Sequence, residues 1–458
     1  MFALKTWPLR FLICFVAGIS VPAMASSLSR ISATDAAHID AKTKSAVVTS
    51  ICKLLMEQYI FLDVAEIMKN HISTRLKDGD YDKIDDPAQF ASTLREDLYE
   101  ISKDNHFHVE FNPELAELIK AQQSQSDEEV QRANKKFVED DRWMNFGFRK
   151  LEQLRGHIGY LDLRVFCNAE YAGETAVAAM SFLANSDAVI IDLRDTPGGY
   201  PNMVQLLCSY FIKGTREGRT HLNTFERRYD RSFEQFWTIS YVPGKRMYDM
   251  DLYILASKHT ASGAEEFVYN MKNLKRATII GETTSGSANP IDRKVIEDNF
   301  VMHLPAGKPI NPVSGTNWEK TGIEPHVAVP AGQALDTAYL MALEKVLKKV
   351  EDEGQKFEIN WAIDGLKAKL NPVEVPAEIL KKYAGDYGER QVWFENGRLY
   401  YRRKSAQYQL IPLKENLFQV EGVDTFRIEF VMGENHEVTE LVGLYDDGTK
   451  APSKRIQR

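Results

Sequence analysis

Four short runs constrain this chain more than anything else in it: "HIGYLDL" (157–163), "DAVIIDL" (187–193), "DLYILAS" (251–257) and "ATIIGET" (277–283). Each is apolar with little alternation, so a strand built from it hides both faces. The first three lead into helical patterns, "GETAVAAMSFLAN", "NMVQLLCSYFI" and "GAEEFVYNMKNL". Doubly buried strands alternating with helices predict an α/β fold around a mostly parallel, covered sheet. In such sheets ligands collect beyond the carboxyl ends of the strands. Three loops then belong together: "RDTPGGY" (194–200), "KHTASG" (258–263) and "TSGSANP" (284–290).

The flanks read differently. Lys5 and Arg10 precede "FLICFVAGISV" and the small residues "AMA" at 23–25, the pattern of a secretory signal peptide over 1–25 and too short for a membrane span. Residues 26–115 read as an N-terminal helical bundle, because "AVVTSICKLLMEQYI" and "PAQFASTLREDLYEIS" repeat apolar residues at threes and fours. A polar linker follows over 116–154, then a core over 155–355 and a connector over 356–378 holding Pro372 and Pro376. Residues 379–458 alternate apolar and polar positions between turn signals such as Asn396-Gly397, predicting a small antiparallel β domain.

Composition excludes more than it selects. A net charge of -8 without a basic stripe gives no footprint for nucleic acid. Beyond the signal peptide three cysteines remain, Cys52, Cys167 and Cys208, an odd number with no C-x-x-C spacing, so neither a metal nor a cofactor is expected.

Within the loops, Ser262 and Glu265 fit an S-x-x-E capping box, so Ser262 taken alone reads first as a helix cap. It also stands where a buried strand turns into a helix, and that helix end favours developing negative charge. Gly198 and Gly199 permit close backbone approach to a ligand. With the amide of Gly263, they are candidates for an oxyanion hole. A serine nucleophile needs a base and a carboxylate behind it. Candidates are His106 and His108 in "DNHFHVEF", and Glu319 and Glu324 in "NWEKTGIEPH".

Together, "GYLDL…DAVIIDLRDTPGG…LYILASKHTASGAEEF…ATIIGETTSG…GIEPH" resembles the C-terminal processing (tail-specific) serine peptidase family, across roughly residues 40–345. That family includes the tricorn core protease and the repeats of interphotoreceptor retinoid-binding protein. The resemblance implies a crotonase-like spiral core, Ser262 as nucleophile, and Gly263 with Gly198-Gly199 as the oxyanion hole. The best-known branch uses a lysine in a G-K-G step; here that step is Gly286-Ser287-Ala288, and 108–156 is too short for a PDZ domain. Both departures point to the tricorn-like branch. Its D-x-H segment matches Asp104-Asn105-His106, and its E-x-x-G-[VI]-x-P segment matches Glu319 to Pro325. The triad so implied is Ser262, His106 and Glu319. The C-terminal region looks like the lipocalin-like domains of some secreted hydrolases, and offers a surface for a homo-oligomer.

The expected function is a secreted or periplasmic serine peptidase that cleaves peptide or protein substrates through an acyl-enzyme, with no membrane anchor. Two alternatives stay open: a hydrophobic-ligand-binding protein with a vestigial triad, and an esterase using the same residues.

Overall fold

Local chemistry sets the first helices, α1 (Ala41–Gln58), α2 (Leu62–Lys77) and α3 (Pro87–Ser102). Asp40 and Asp86 cap α1 and α3 by accepting from the amides of Thr43 and Gln89 at 2.7 and 2.6 Å. Pro87 takes a first-turn position that needs no amide. Lys103, left-handed at φ 49°, ends α3 and turns the chain into the loop carrying Asp104 and His106. This computed structural model describes residues 38–456 apart from 105, 124–134, 136–137, 215–217, 298 and 436. The expected signal peptide and most of the "AQQSQSDEEVQRANKKF" stretch lie outside the described residues.

The chain continues through β1 (His108–Phe111), α4 (Pro113–Gln123), β2 (Phe148–Leu154), β3 (Ile158–Leu163), α5 (Ala169–Leu183), β4 (Ala188–Asp192) and α6 (Pro201–Phe211). Then come β5 (His221–Arg227), β6 (Phe233–Trp237), β7 (Asp251–Ala256), α7 (Gly263–Asn273) and β8 (Thr278–Gly281). β9 (Ile291–Glu297), β10 (Phe300–Pro305), β11 (Gly307–Ile310) and β12 (Val327–Ala328) complete this part.

The described residues form two compact units, one holding those up to Leu151 with Leu161–Asn185 and Ile191–Ala331, the other Glu152–Tyr160 with Ser186–Ile190 and those from Gly332 onward. A six-stranded sheet has the order β12-β8-β7-β4-β3-β2. β7, β8 and β12 run parallel, Ile254 opposite Ile279 and Val327 opposite Ile280. Every residue of β3 and β4 is buried, as their unbroken apolar runs require. β2 falls within the stretch read from sequence as a linker; its burial pattern is mostly exposed, so it carries little apolar signal.

The N-terminal helices do not form a core of their own. Val47, Ile51, Leu55, Phe90 and Leu94 share one with Phe107, Val109, Phe300 and Met302. β1 is the reason: it pairs antiparallel with β10, and β10 with β9, so a segment far downstream completes the helices' packing. A second small sheet, β11-β5-β6, is antiparallel.

The second unit holds most of α8 (Ala331–Leu347), α9 (Glu353–Leu370) and α10 (Ala377–Tyr383), then eight strands from β13 (Gly385–Tyr387) to β20 (Lys450–Lys454). Each strand pairs antiparallel with its sequence neighbour. Asn396 and Gly397 both adopt positive φ, 49° and 79°, the two-residue turn that suits the twist of a hairpin. Beyond β20 the amide of Ile456 donates to the Asp386 carbonyl at 2.8 Å, so the antiparallel sheet is nearly closed. Tyr383, Tyr387, Phe418 and Phe430 fill its core.

Candidate active site

The loop after β7 is fastened before it reaches Ser262. Thr260 Oγ1 donates to the Leu193 carbonyl at 2.7 Å, and the Ala261 amide donates to the Thr196 carbonyl at 3.1 Å. Ser262 then adopts φ 50° and ψ -122°, and α7 begins at Gly263. An ordinary N-cap sits in the extended region. A side-chain-bearing residue held at this positive φ costs on the order of 1–3 kcal/mol, and such strain concentrates at functional sites. The strand–turn–helix setting is the one that presents a nucleophile on a sharp elbow.

Glu265 holds that elbow. Ser262 and Glu265 do form the capping box, the Ser262 amide donating to Glu265 Oε2 at 2.9 Å. The same carboxylate accepts from the amides of Gly286 (2.7 Å) and Ser287 (2.9 Å) and from the Thr284 hydroxyl. Burial pushes Glu265 up to about 7, while these hydrogen bonds pull the other way. The Gly286-Ser287 step is thus bound to the elbow by its backbone.

Gly199 and Gly263 come close together. Gly198 and Gly199 have φ 120° and 142°, and the Phe166 amide donates to the Gly198 carbonyl at 2.8 Å. A Cβ on Gly199 would stand 2.2 Å from the Phe166 carbonyl oxygen, and one on Gly263 would stand 2.6 Å from that of Gly199. The two main chains therefore touch at the positive end of α7, and side chains at either glycine would separate them.

Asp104 and Glu319 bind the later residues of the 284–290 loop, Ala288 and Asn289. Asp104 is fully buried; it accepts from the His106 amide at 2.9 Å and from Asn289 Nδ2 at 3.2 Å. Glu319 Oε2 accepts from the amides of Ala288 (2.8 Å) and Asn289 (3.2 Å). Trp318 anchors its turn by donating to the Ser287 carbonyl at 3.2 Å, and Lys320 Nζ donates to the Ser102 carbonyl at 2.6 Å. Burial, reinforced by the charge of Asp104, pushes Glu319 up to about 7. Burial lowers His106, and Asp104 opposes that shift. His106 Nδ1 is buried with no hydrogen-bond partner, 4.0 Å from Asp104 Oδ1.

Among the described residues, no hydrogen bond joins Ser262 to His106, or His106 to Glu319. Catalytic hydrogen bonds are often long without substrate and tighten in its complex. What the structure brings together is a chain of contacts: Gly199 and Gly263, Ser262 and Glu265, Gly286 and Ser287, then Ala288 and Asn289 with Glu319 and Asp104. His108 has other partners. It lies opposite His303, ring centroids 5.5 Å apart, and is lowered to about 4 by burial and then by Arg95. His303 in turn pairs with Glu110 at 2.9 Å. Glu324 is exposed, its carbonyl accepting from Lys272 Nζ at 2.6 Å.

Two members escaped the sequence reading. Asp104 was visible as the first residue of D-x-H, but nothing local assigned it a role. Asn289 follows the Gly-Ser-Ala step and carried no signal at all.

Residues 157–329 match peptidase family S41, and residues 33–145 match the N-terminal domain of that family in eukaryotic IRBP. The carboxy-terminal processing protease CtpB of Bacillus subtilis is 24% identical over 213 residues, 46% of this chain and 42% of CtpB. The chain thus spans less than half the length of that relative. Among solved structures, the photosystem II D1 C-terminal processing protease is 20% identical (TM-score 0.32), covering 38% of this chain and 43% of its own. A Streptococcus agalactiae lipoprotein is 14% identical (TM-score 0.42), covering 66% of this chain and 96% of its own. Two adjoining family matches thus frame the elbow, the glycine pair and the His106 loop, and the chain belongs to peptidase family S41.

Proposed function

We propose that this protein is a serine peptidase in which Ser262 is the nucleophile, His106 the general base and Glu319 the acid of the triad. The strained elbow at Ser262 carries the reading: a helix cap gains nothing from φ 50°, whereas a nucleophile gains exposure and the field of a helix end. Ser262 Oγ attacks a peptide carbonyl carbon as His106 Nε2 takes its proton. The resulting oxyanion lies toward the amides of Gly263 and the Gly198-Gly199 turn. Collapse breaks the C–N bond, the amine leaves with the proton from His106, and water then hydrolyses the acyl ester with the same base.

Substrates of this reading are peptides or proteins, and its setting is outside the cytoplasm. The pattern over residues 1–25 supports export, and no described helix is long and apolar enough to cross a membrane. The crotonase-like spiral and the lipocalin-like character of the nearly closed sheet belong to the same proposal, as does self-association through that sheet.

A fluorophosphonate probe tests it. Labelling is expected on Ser262 of the full chain, abolished in Ser262→Ala and slowed by about 100-fold or more in His106→Ala. Peptidase activity persisting in Ser262→Ala would overturn the assignment. Comparing amide with ester substrates identifies the leaving group.

A further inference from the structure

The carboxylate in contact with the His106 ring is that of Asp104. Asp104 Oδ1 is 4.0 Å from Nδ1, whereas the Glu319 oxygen described above is engaged by the amides of Ala288 and Asn289. A wholly buried ring nitrogen without a partner is costly, so a small closure onto Asp104 is favoured. Asn289 stands between the two acids. Its backbone amide donates to Glu319 and its side-chain amide to Asp104, and its own Oδ1 is buried without a partner. Like charges this near do not both ionise readily in a buried setting.

We infer that Asp104 is a positioning residue that accepts a hydrogen bond from Nδ1–H of His106, so that Glu319, the acid of the triad proposed above, acts behind it through Asn289 and not on the ring itself. The contacts then run from Ser262 through His106 and Asp104 to Asn289, which donates to both acids, and no proton passes beyond His106. The proton taken from Ser262 stays on His106 as imidazolium, and Asp104 stabilises that cation without being protonated itself. The groups that act on the His106 ring are Asp104 from its own loop and His303 from β10. Lys320 and Asp104 act on Glu319.

This inference rests on the peptidase reading, and fluorophosphonate labelling of the full chain separates the two. If the wild type is not labelled at Ser262, the peptidase reading fails. With a labelled wild type, Asp104→Asn is expected to slow labelling by about 100-fold or more and to move the midpoint of the pH–rate profile down, because the imidazolium loses its counter-charge. Glu319→Gln is expected to slow labelling by only about ten-fold, and the double variant no further than Asp104→Asn. Asp104→Glu, which keeps the charge, should restore the wild-type midpoint; it also serves if Asp104→Asn does not fold. The inference is overturned if Asp104→Asn labels within about threefold of wild type, or labels slowly with an unmoved midpoint, which is what loop damage alone would do. An Asp104→Glu midpoint lowered like that expected for the asparagine variant would overturn it as well.

Discussion

At the scale of single residues, Ser262 separates stability from chemistry. Its φ of 50° with ψ -122° suits glycine better than a residue with a side chain. Ser262→Gly should therefore unfold later than Ser262→Ala, by about 1 kcal/mol in denaturant titrations, although neither variant is labelled. Equal stability would mean that the loop, not the backbone of Ser262, bears the strain. The site residues differ in how legible they were. His106 and Glu319 stood in recognisable spacings, whereas Asp104 was visible only as the first residue of D-x-H. The elbow's φ was not legible, since S-x-x-E describes a relaxed cap equally well. Asn289 was not legible either, for its partners are Asp104 and Glu319, remote in sequence and supplied only by folding.

Among the elements, α1 shows how distant segments finish one another. The Arg228 guanidinium, after β5, donates to the carbonyls of Tyr59 (2.6 Å) and Met56 (2.7 Å), covering the otherwise open C-terminal end of that helix. Arg228→Ala should cost about 1.5–3 kcal/mol, since charge-assisted bonds to these carbonyls are lost. Hydrogen exchange should locate the loosening in the last turn of α1; a uniform change across the protein would contradict this. The elements of the core sheet were readable because doubly buried strands leave long apolar runs, as in β3 and β4. The hairpin at Asn396-Gly397 was readable for its turn chemistry. β1 and β2 were not: β1 earns its place by pairing with β10, and β2 is mostly exposed.

For the whole molecule, three buried carboxyls set the pH dependence of stability. Glu265 and Glu319 are pushed up to about 7 and Glu266 to about 8, in each case first by burial. Their folded values lie above the unfolded ones, so the folded state binds more protons and stability falls as pH rises from about 4.5 through 7 to 8. His106 and His108 act oppositely but only below about 6.5, where the unfolded histidines take up protons. Thermal unfolding should therefore move to lower temperature between pH 6.5 and 8, each carboxyl contributing up to about 1.4 kcal/mol per pH unit in its own interval. A midpoint that rises across this interval would contradict the assignment, and Glu266→Gln should flatten the slope. The bond from Lys320 Nζ to the Ser102 carbonyl has a further consequence. It ties the end of α3, just before the His106 loop, to the turn that carries Glu319, 218 residues further along the chain, so these two segments are held together only once the whole intervening stretch has folded.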